Sequence, residues 1–173
     1  MTGVTIRPLA PREVLGPYRR QIAEVWTWAD AQRLEEILPA HVRREGFRFR
    51  AAFGDRDRLL GFAYGYLGGP GQWWHDLVAA AMDDAERDRW LAPGHFEFVE
   101  LHVHPDARRQ GIGGRLHDAL LEGLPSPTAV LSTQTDNQPA LALYRARRWQ
   151  IVVPELLFQP VGRPYAILGR ALG

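Results

Sequence analysis

The chain is predicted to be an α/β protein with a mixed, mostly antiparallel central sheet, helices on both faces and one parallel strand-helix-strand crossover. Three observations predict it. Short β-branched or aromatic runs alternate with amphipathic stretches along the whole chain. Two neighbouring runs, Phe47 to Phe53 and Leu59 to Leu67, are close enough to form a hairpin. The second half reads strand, helix, strand, helix, strand, an order that places strands side by side through helical connections.

The elements follow in order. Val4 to Leu9 alternates briefly and stops at Pro8 and Pro11, where the ladder loses donors, so it is a short strand. Arg12 to Trp28 and Asp30 to Arg44 place Ile22, Val25 and Trp26, then Leu34, Ile37 and Leu38, at helical spacing, with Asp30 as N-cap. Gly54-Asp55-Arg56-Asp57 has turn chemistry and joins the two hairpin strands. Gln72 to Leu91 returns to helical periodicity and ends at Pro93-Gly94. Phe96 to Val103 is apolar on both parities, as a strand covered on both faces requires. Gly111 to Gly123 is a helix, Thr128 to Thr133 a strand and Gln138 to Arg147 a helix; Ile151 to Phe158 and Tyr165 to Leu168 are closing strands.

With 173 residues and 46% hydrophobic content the chain can bury a core without disulfides, and one domain over residues 1–173 is expected. The 21 basic and 20 acidic residues nearly cancel, so the overall charge asks for neither nucleic acid nor an anionic membrane. All basic residues are Arg. The absence of Cys excludes thiolate metal sites and Cys nucleophiles. The N-terminal residues lack the pattern of a signal peptide, and no run approaches the ~18 apolar residues of a membrane span. A soluble cytoplasmic protein is expected. His102 and His104, with His95 and His117 nearby, do not fall in a recognisable ligand spacing, so no metal is expected.

The most informative segment runs from His104 through Arg108-Arg109-Gln110-Gly111-Ile112-Gly113-Gly114 to Arg115. Glycines at the start of an amphipathic helix let the backbone approach a bulky anion, and the first-turn N–H groups and helix dipole favour negative charge there. A pyrophosphate fits, with Arg108, Arg109 and Arg115 able to add charge-assisted bonds. A P-loop needs a Lys that the chain lacks, and a dinucleotide fingerprint needs a different glycine spacing.

Arg108 to Gly113 resembles the Q/R-x-x-G-x-G/A signature of GNAT acetyltransferases, preceded by that family's strand ending in Val-His-Pro. Asn137, Ala140, Leu143 and Tyr144 resemble its N-x-x-A-x-x-L-Y-x-x-x-G-F segment, with Trp149 replacing Phe and Arg148 standing where the family usually has Gly. That Gly commonly ends the helix in a left-handed conformation. The resemblance implies a GNAT-like fold with acetyl-CoA as co-substrate. It implies that Arg108, Arg109, Gln110, Gly111, Ile112 and Gly113, with Gly114 at the edge, hold the pyrophosphate. Main-chain groups of Leu101, His102 and Val103 would pair with pantetheine, Asn137 would lie on the cofactor helix, and Tyr144 would protonate or hydrogen-bond the sulfur.

Acetyl transfer to an amine needs a neutral amine, a stabilised oxyanion and a proton for the thiolate. Glu97 and Glu100 interrupt an otherwise apolar strand, where a carboxylate is costly unless paired or functional. Glu100 is the first candidate base and Glu97 the second; a regular strand puts them on opposite faces. In this fold the acceptor pocket is usually built from the early helices and the loop between the third and fourth strands. Those are Trp26 to Arg44 and Gly68 to Gly94 here, making Trp28, Trp73, Trp74 and Asp76 candidate acceptor contacts. The acceptor is expected to be an amine of a small molecule or peptide. Transfer of another acyl group, or a catalytically silent CoA-binding module, are the alternatives. The aromatic C-terminal strands permit a homodimer, and core packing explains the same residues equally well.

Overall fold

The computed structural model describes residues 3–26 and 31–173; of Ala31 and Gln32 only the backbone is described. The chain forms two compact units, residues 1–66 with 99–123, and residues 67–98 with 124–173.

In the first unit, strands β1 (Thr5–Pro8), β2 (Arg48–Phe53), β3 (Leu59–Leu67, as far as Tyr66) and β4 (Phe96–Val103, from Val99) lie in that order. The pairs β1–β2 and β2–β3 are antiparallel, so the expected hairpin is present, with a register shift between Ala52 and Phe53. The predicted first helix is two: α1 (Pro11–Val14) and α2 (Arg19–Val25). Gly16 and Pro17 separate them: a β-carbon on Gly16 would lie 2.6 Å from the Arg12 carbonyl oxygen, and proline disfavours helical backbone before it. Helix α3 covers Ala31–His41; the Asp30 cap and the end of the predicted first helix lie outside the described residues.

Strand alternation divides this unit into layers. Phe49, Phe53, Phe62 and Tyr64 pack with Val14, Ile22, Leu34 and Leu38 of α1–α3. Arg48 and Arg50 point the other way, donating to the carbonyls of Glu122 and Ala119 at the end of a later helix, α6 (Ile112–Leu121). Gly61 also faces that side: an added β-carbon would sit 2.7 Å from the His102 carbonyl oxygen and 3.0 Å from Leu116 Cδ1. Glycine there lets strand and helix approach.

In the second unit the order is β4 (its first three residues), β5 (Thr128–Gln134), β7 (Tyr165–Ala171) and β6 (Gln150–Leu156). Phe96 pairs with Ala129 and Glu97 with Val130 in parallel, whereas β5–β7 and β6–β7 are antiparallel. The predicted mixed, mostly antiparallel sheet with a parallel crossover is therefore present.

Gln72 to Leu91, expected as one helix, is α4 (Trp73–Ala80) followed by α5 (Asp84–Trp90). The break is a capping box: the Asp83 side chain accepts from the Glu86 N–H at 2.8 Å, and Glu86 Oε2 accepts from the Asp83 N–H at 3.0 Å. Val78, Met82 and Trp90 pack with Val130, Val153 and Ile167. Gly169 leaves room for Trp90, whose ring would lie 2.4 Å from an added β-carbon. Helix α7 covers Gln138–Ala146.

Candidate active site

The glycine turn lies wholly in the first unit. After β4, Pro105–Ala107 form a single 3-10 turn, and the His104 ring accepts from the Asp106 N–H at 3.2 Å. Arg109 and Gly111 both have positive φ, 62° and 75°, and Gly111 is the N-cap of α6. Left-handed residues spaced this way turn successive N–H groups into a concave, anion-seeking surface. No side chain caps α6, and nothing lies within 4 Å of where a β-carbon on Gly111 would be. Open space at an uncapped helix start is what a phosphate group needs. Ile112, buried, anchors the turn from below.

The flanking arginines divide. Arg108 Nε donates to the Val103 carbonyl at 3.2 Å, bracing the turn against the strand, and Arg115 donates to the Val4 carbonyl at 2.9 Å. Arg109 and Gln110 are exposed, and Gly113 and Gly114 lie in the first turn of α6.

Upstream on the same strand, Glu100 and His102 share a face, as an i, i+2 pair must. Leu101 and Val103 share the opposite one. His102 Nε2 lies 2.7 Å from Glu100 Oε2. The His102 ring stacks on Trp26, with centroids 4.9 Å apart and planes at 20°, and lies 5.4 Å from Phe62. Trp26 closes α2 by donating its backbone N–H to Ile22, and its Nε1 is buried without a hydrogen-bond partner among the described residues. Trp28 lies outside the described residues.

Nearby in this unit, His41 Nδ1 lies 3.0 Å from the Tyr64 hydroxyl. Burial, reinforced by Arg44 and Arg33, pushes the His41 imidazole down to about 4, so it is neutral near pH 7.

The remaining candidates belong to the second unit. Glu97 is 3% exposed, whereas the Glu100 side chain in the first unit is 27% exposed. That difference separates a carboxylate open to solvent from one enclosed in packing. Tyr144 is 7% exposed and set edge-on to Phe98 and Trp149, with centroids 6.3 and 5.7 Å away. Asn137 caps α7, its side-chain oxygen accepting from the Ala140 N–H at 3.2 Å. After α7, Arg148 adopts φ 63°, the left-handed geometry that the family's Gly usually supplies. The Trp149 N–H donates to the Tyr144 carbonyl at 3.1 Å. Helix end and turn are thus kept despite the substitution.

The aromatic and acidic residues of α4 are engaged within the unit. Trp73 is 57% exposed and lies 5.6 Å from Phe158. Trp74 donates Nε1–H to Ser132 Oγ at 3.0 Å. Asp76 accepts from the Gly71 N–H at 3.0 Å and lies 3.1 Å from His75 Nδ1. Contacts first with His75 and then with Gly71 lower the Asp76 carboxyl. Behind them His75 stacks on buried His95 at 5.4 Å, and burial lowers the His95 imidazole.

Two features escaped the sequence reading: the contact of the His102 side chain with Glu100, since that side chain was weighed only as a metal ligand, and its stacking on Trp26. The i, i+2 spacing of Glu100 and His102 on a strand was the signal for the first. The second depends on how α2 crosses the sheet. Among the described residues no group of three or more His, Cys, Asp or Glu could hold a metal ion, and no helix is long and apolar enough to cross a membrane.

The model of the acetyltransferase (GNAT) family matches residues 12–148. The chain belongs to that family. It is 36% identical over 121 residues to the GCN5-like protein acetyltransferase Rv2170 of Mycobacterium tuberculosis, a match covering 66% of this chain and 59% of that protein. The chain thus spans less than two thirds of the curated relative's length. Among solved structures it is similar to a GNAT-family acetyltransferase from Bacillus cereus, with a TM-score of 0.66 at 13% identity over 98% of this chain and 97% of that one. It is also similar to the ribosomal-protein-S18-alanine N-acetyltransferase from Escherichia coli, with a TM-score of 0.64 at 15% identity over 98% and 94%. At those identities the structural likeness concerns the fold. As a GNAT member, the chain carries the Arg108–Gly113 signature in the turn where Arg109 and Gly111 are left-handed and α6 starts without a side-chain cap.

Proposed function

We propose that this GNAT member transfers an acetyl group from acetyl-CoA to a primary amine of a small molecule or peptide, by direct attack within a ternary complex. The observation that carries the reading is the uncapped start of α6 behind left-handed Gly111, with open space at its α-carbon. The N–H groups from Gly111 to Gly114 bind the pyrophosphate, and exposed Arg109 adds charge-assisted contacts to phosphate oxygens. Main-chain groups of Leu101, His102 and Val103 pair with the pantetheine arm and stabilise the thioester oxyanion.

Glu100 acts as the base. Its partial exposure and its place on the strand leading into the turn support that choice over enclosed Glu97. The carboxylate takes a proton from the acceptor's ammonium group directly or through water, and the freed nitrogen lone pair attacks the thioester carbonyl. Collapse of the tetrahedral intermediate expels the thiolate, which takes its proton from the Tyr144 hydroxyl, while the nitrogen sheds its second proton to water and the phenolate is reprotonated from solvent. Support for that role is the match of Asn137 through Tyr144 to the family segment. The M. tuberculosis relative is named a protein acetyltransferase, which supports keeping peptide and protein amines in the acceptor class. Trp73 is the exposed aromatic of α4 and the first of the acceptor candidates to test there.

The experiment is calorimetric titration of acetyl-CoA into the wild-type chain and into a Gly111→Asp/Gly113→Asp variant. Micromolar binding by the wild type that the variant loses is expected, since two carboxylates would repel the pyrophosphate. An intact chain that takes up no acetyl-CoA ends the transferase reading.

A further inference from the structure

Glu100 is a flexible side chain on a strand, and a base must present one oxygen to the acceptor in a narrow range of directions. In the first unit that orientation is built in. His102 stands two residues along on the same face, and its Nε2 is 2.7 Å from Glu100 Oε2, the short range of a charge-assisted N–H···O bond. The imidazole itself has little freedom. Trp26 is stacked on it at 4.9 Å, Phe62 flanks it at 5.4 Å, and its side chain is only 10% exposed. Trp26 is in turn held in the cluster formed by α2 and the aromatic face of β2 and β3. A rigid ring joined to one carboxylate oxygen fixes the direction of the other.

We propose that His102 is a positioning residue for the base: it donates its Nε2–H to Glu100 Oε2 and holds Oε1 toward the acceptor ammonium. The assignment rests on the acetyl-transfer reading with Glu100 as base. The proton moves from the ammonium nitrogen to Glu100 Oε1, and the nitrogen lone pair so freed makes the new bond to the acetyl carbon. His102 exchanges no proton in that step. It requires the tautomer protonated at Nε2, with Trp26 and Phe62 keeping the ring from swinging away.

The test uses the full chain and three variants, His102→Phe, His102→Gln and Glu100→Gln. Nitrogen-15 histidine spectra are expected to show His102 protonated at Nε2 in the wild type, and its ring signals are expected to move in Glu100→Gln. Turnover is followed as CoA thiol released from acetyl-CoA with spermidine, kanamycin and an alanine-terminated peptide as probe amines. His102→Phe is expected to lose kcat by about 10- to 100-fold, the scale of a misplaced reacting group. Its KM values and acetyl-CoA affinity should stay within about threefold, the pattern of an interaction that matters in the transition state. His102→Gln, whose amide nitrogen can reach the same carboxylate oxygen, should recover part of the loss.

Ring signals that ignore Glu100→Gln overturn the proposal, and so does His102→Phe with wild-type kcat. The spectroscopic arm needs no substrate and stands even where His102→Phe fails to fold. A wild-type chain that does not bind acetyl-CoA overturns the transferase reading and the positioning role together, so the two failures are distinguishable.

Discussion

Replacing Arg148 with glycine should stabilise the protein, although it removes a long side chain from the end of a helix. Arg148 sits at φ 63°, immediately after the last turn of α7, where the Trp149 N–H reaches back to the Tyr144 carbonyl. A residue with a β-carbon in left-handed backbone costs roughly 1–2 kcal/mol through the clash with its carbonyl oxygen. Glycine escapes that clash and loses about 0.5–1 kcal/mol from the greater freedom of its unfolded chain. The difference favours Arg148→Gly by about 0.5–1 kcal/mol. For a chain of this size that raises Tm by about 1–4 °C.

The assay is urea unfolding followed by circular dichroism, comparing midpoints at constant slope so that only stability is read. Arg145→Gly provides the control, because it makes the same chemical change inside α7, where glycine should cost about 1 kcal/mol. Opposite signs for the two variants are expected. If Arg148→Gly lowers the midpoint as much as Arg145→Gly does, strain at this turn is not what distinguishes the position, and the argument fails.

Gly61→Ala should destabilise by about 1–3 kcal/mol, because its β-carbon would stand 2.7 Å from the His102 carbonyl oxygen, a backbone atom that no rotamer change can move. An unchanged urea midpoint would show that β3 and β4 are less tightly held than this. Stability should also fall as pH drops from about 6.5 to about 4. In that window the unfolded chain protonates His41 while the folded chain, where burial and Arg44 with Arg33 lower the imidazole to about 4, binds fewer protons. The full shift would be worth ~3 kcal/mol, and solvent screening of a partly exposed ring reduces that to about 1–2 kcal/mol. Melting curves of wild type and His41→Asn across that range should converge in acid; parallel curves would remove His41 as the source.

The readable parts of the site are those written in local chain geometry. The Gly111-Ile112-Gly113-Gly114 run announces a helix that begins without a side-chain cap, and at Gly111 the backbone is left-handed with open space at its α-carbon. Asn137, two residues before Pro139, caps α7 through a contact that spans only three residues. Two local breaks lie inside stretches of continuous helical periodicity. Asp83 followed by Glu86 is a capping box, yet uninterrupted periodicity from Trp73 to Trp90 suggested one helix where two stand. Gly16-Pro17 likewise divides the first predicted helix. At Arg148 the residue identity argued against a left-handed turn, and the hydrogen bonds closing α7 impose it anyway.

The order of strands and helices, the antiparallel hairpin, the parallel crossover and the glycine turn were determined by the sequence itself, because periodicity, turn chemistry and glycine placement act over a few residues. Tertiary structure alone decided which carboxylate is reachable. Glu97 and Glu100 look alike on one strand, but burial depends on elements distant in the chain, and it encloses the first while leaving the second partly exposed. It also decided that Trp26, brought over the sheet by α2, stacks on the ring that bonds to Glu100. Such contacts join residues far apart along the chain, and side-chain packing in three dimensions, which spacing along a strand does not record, sets them.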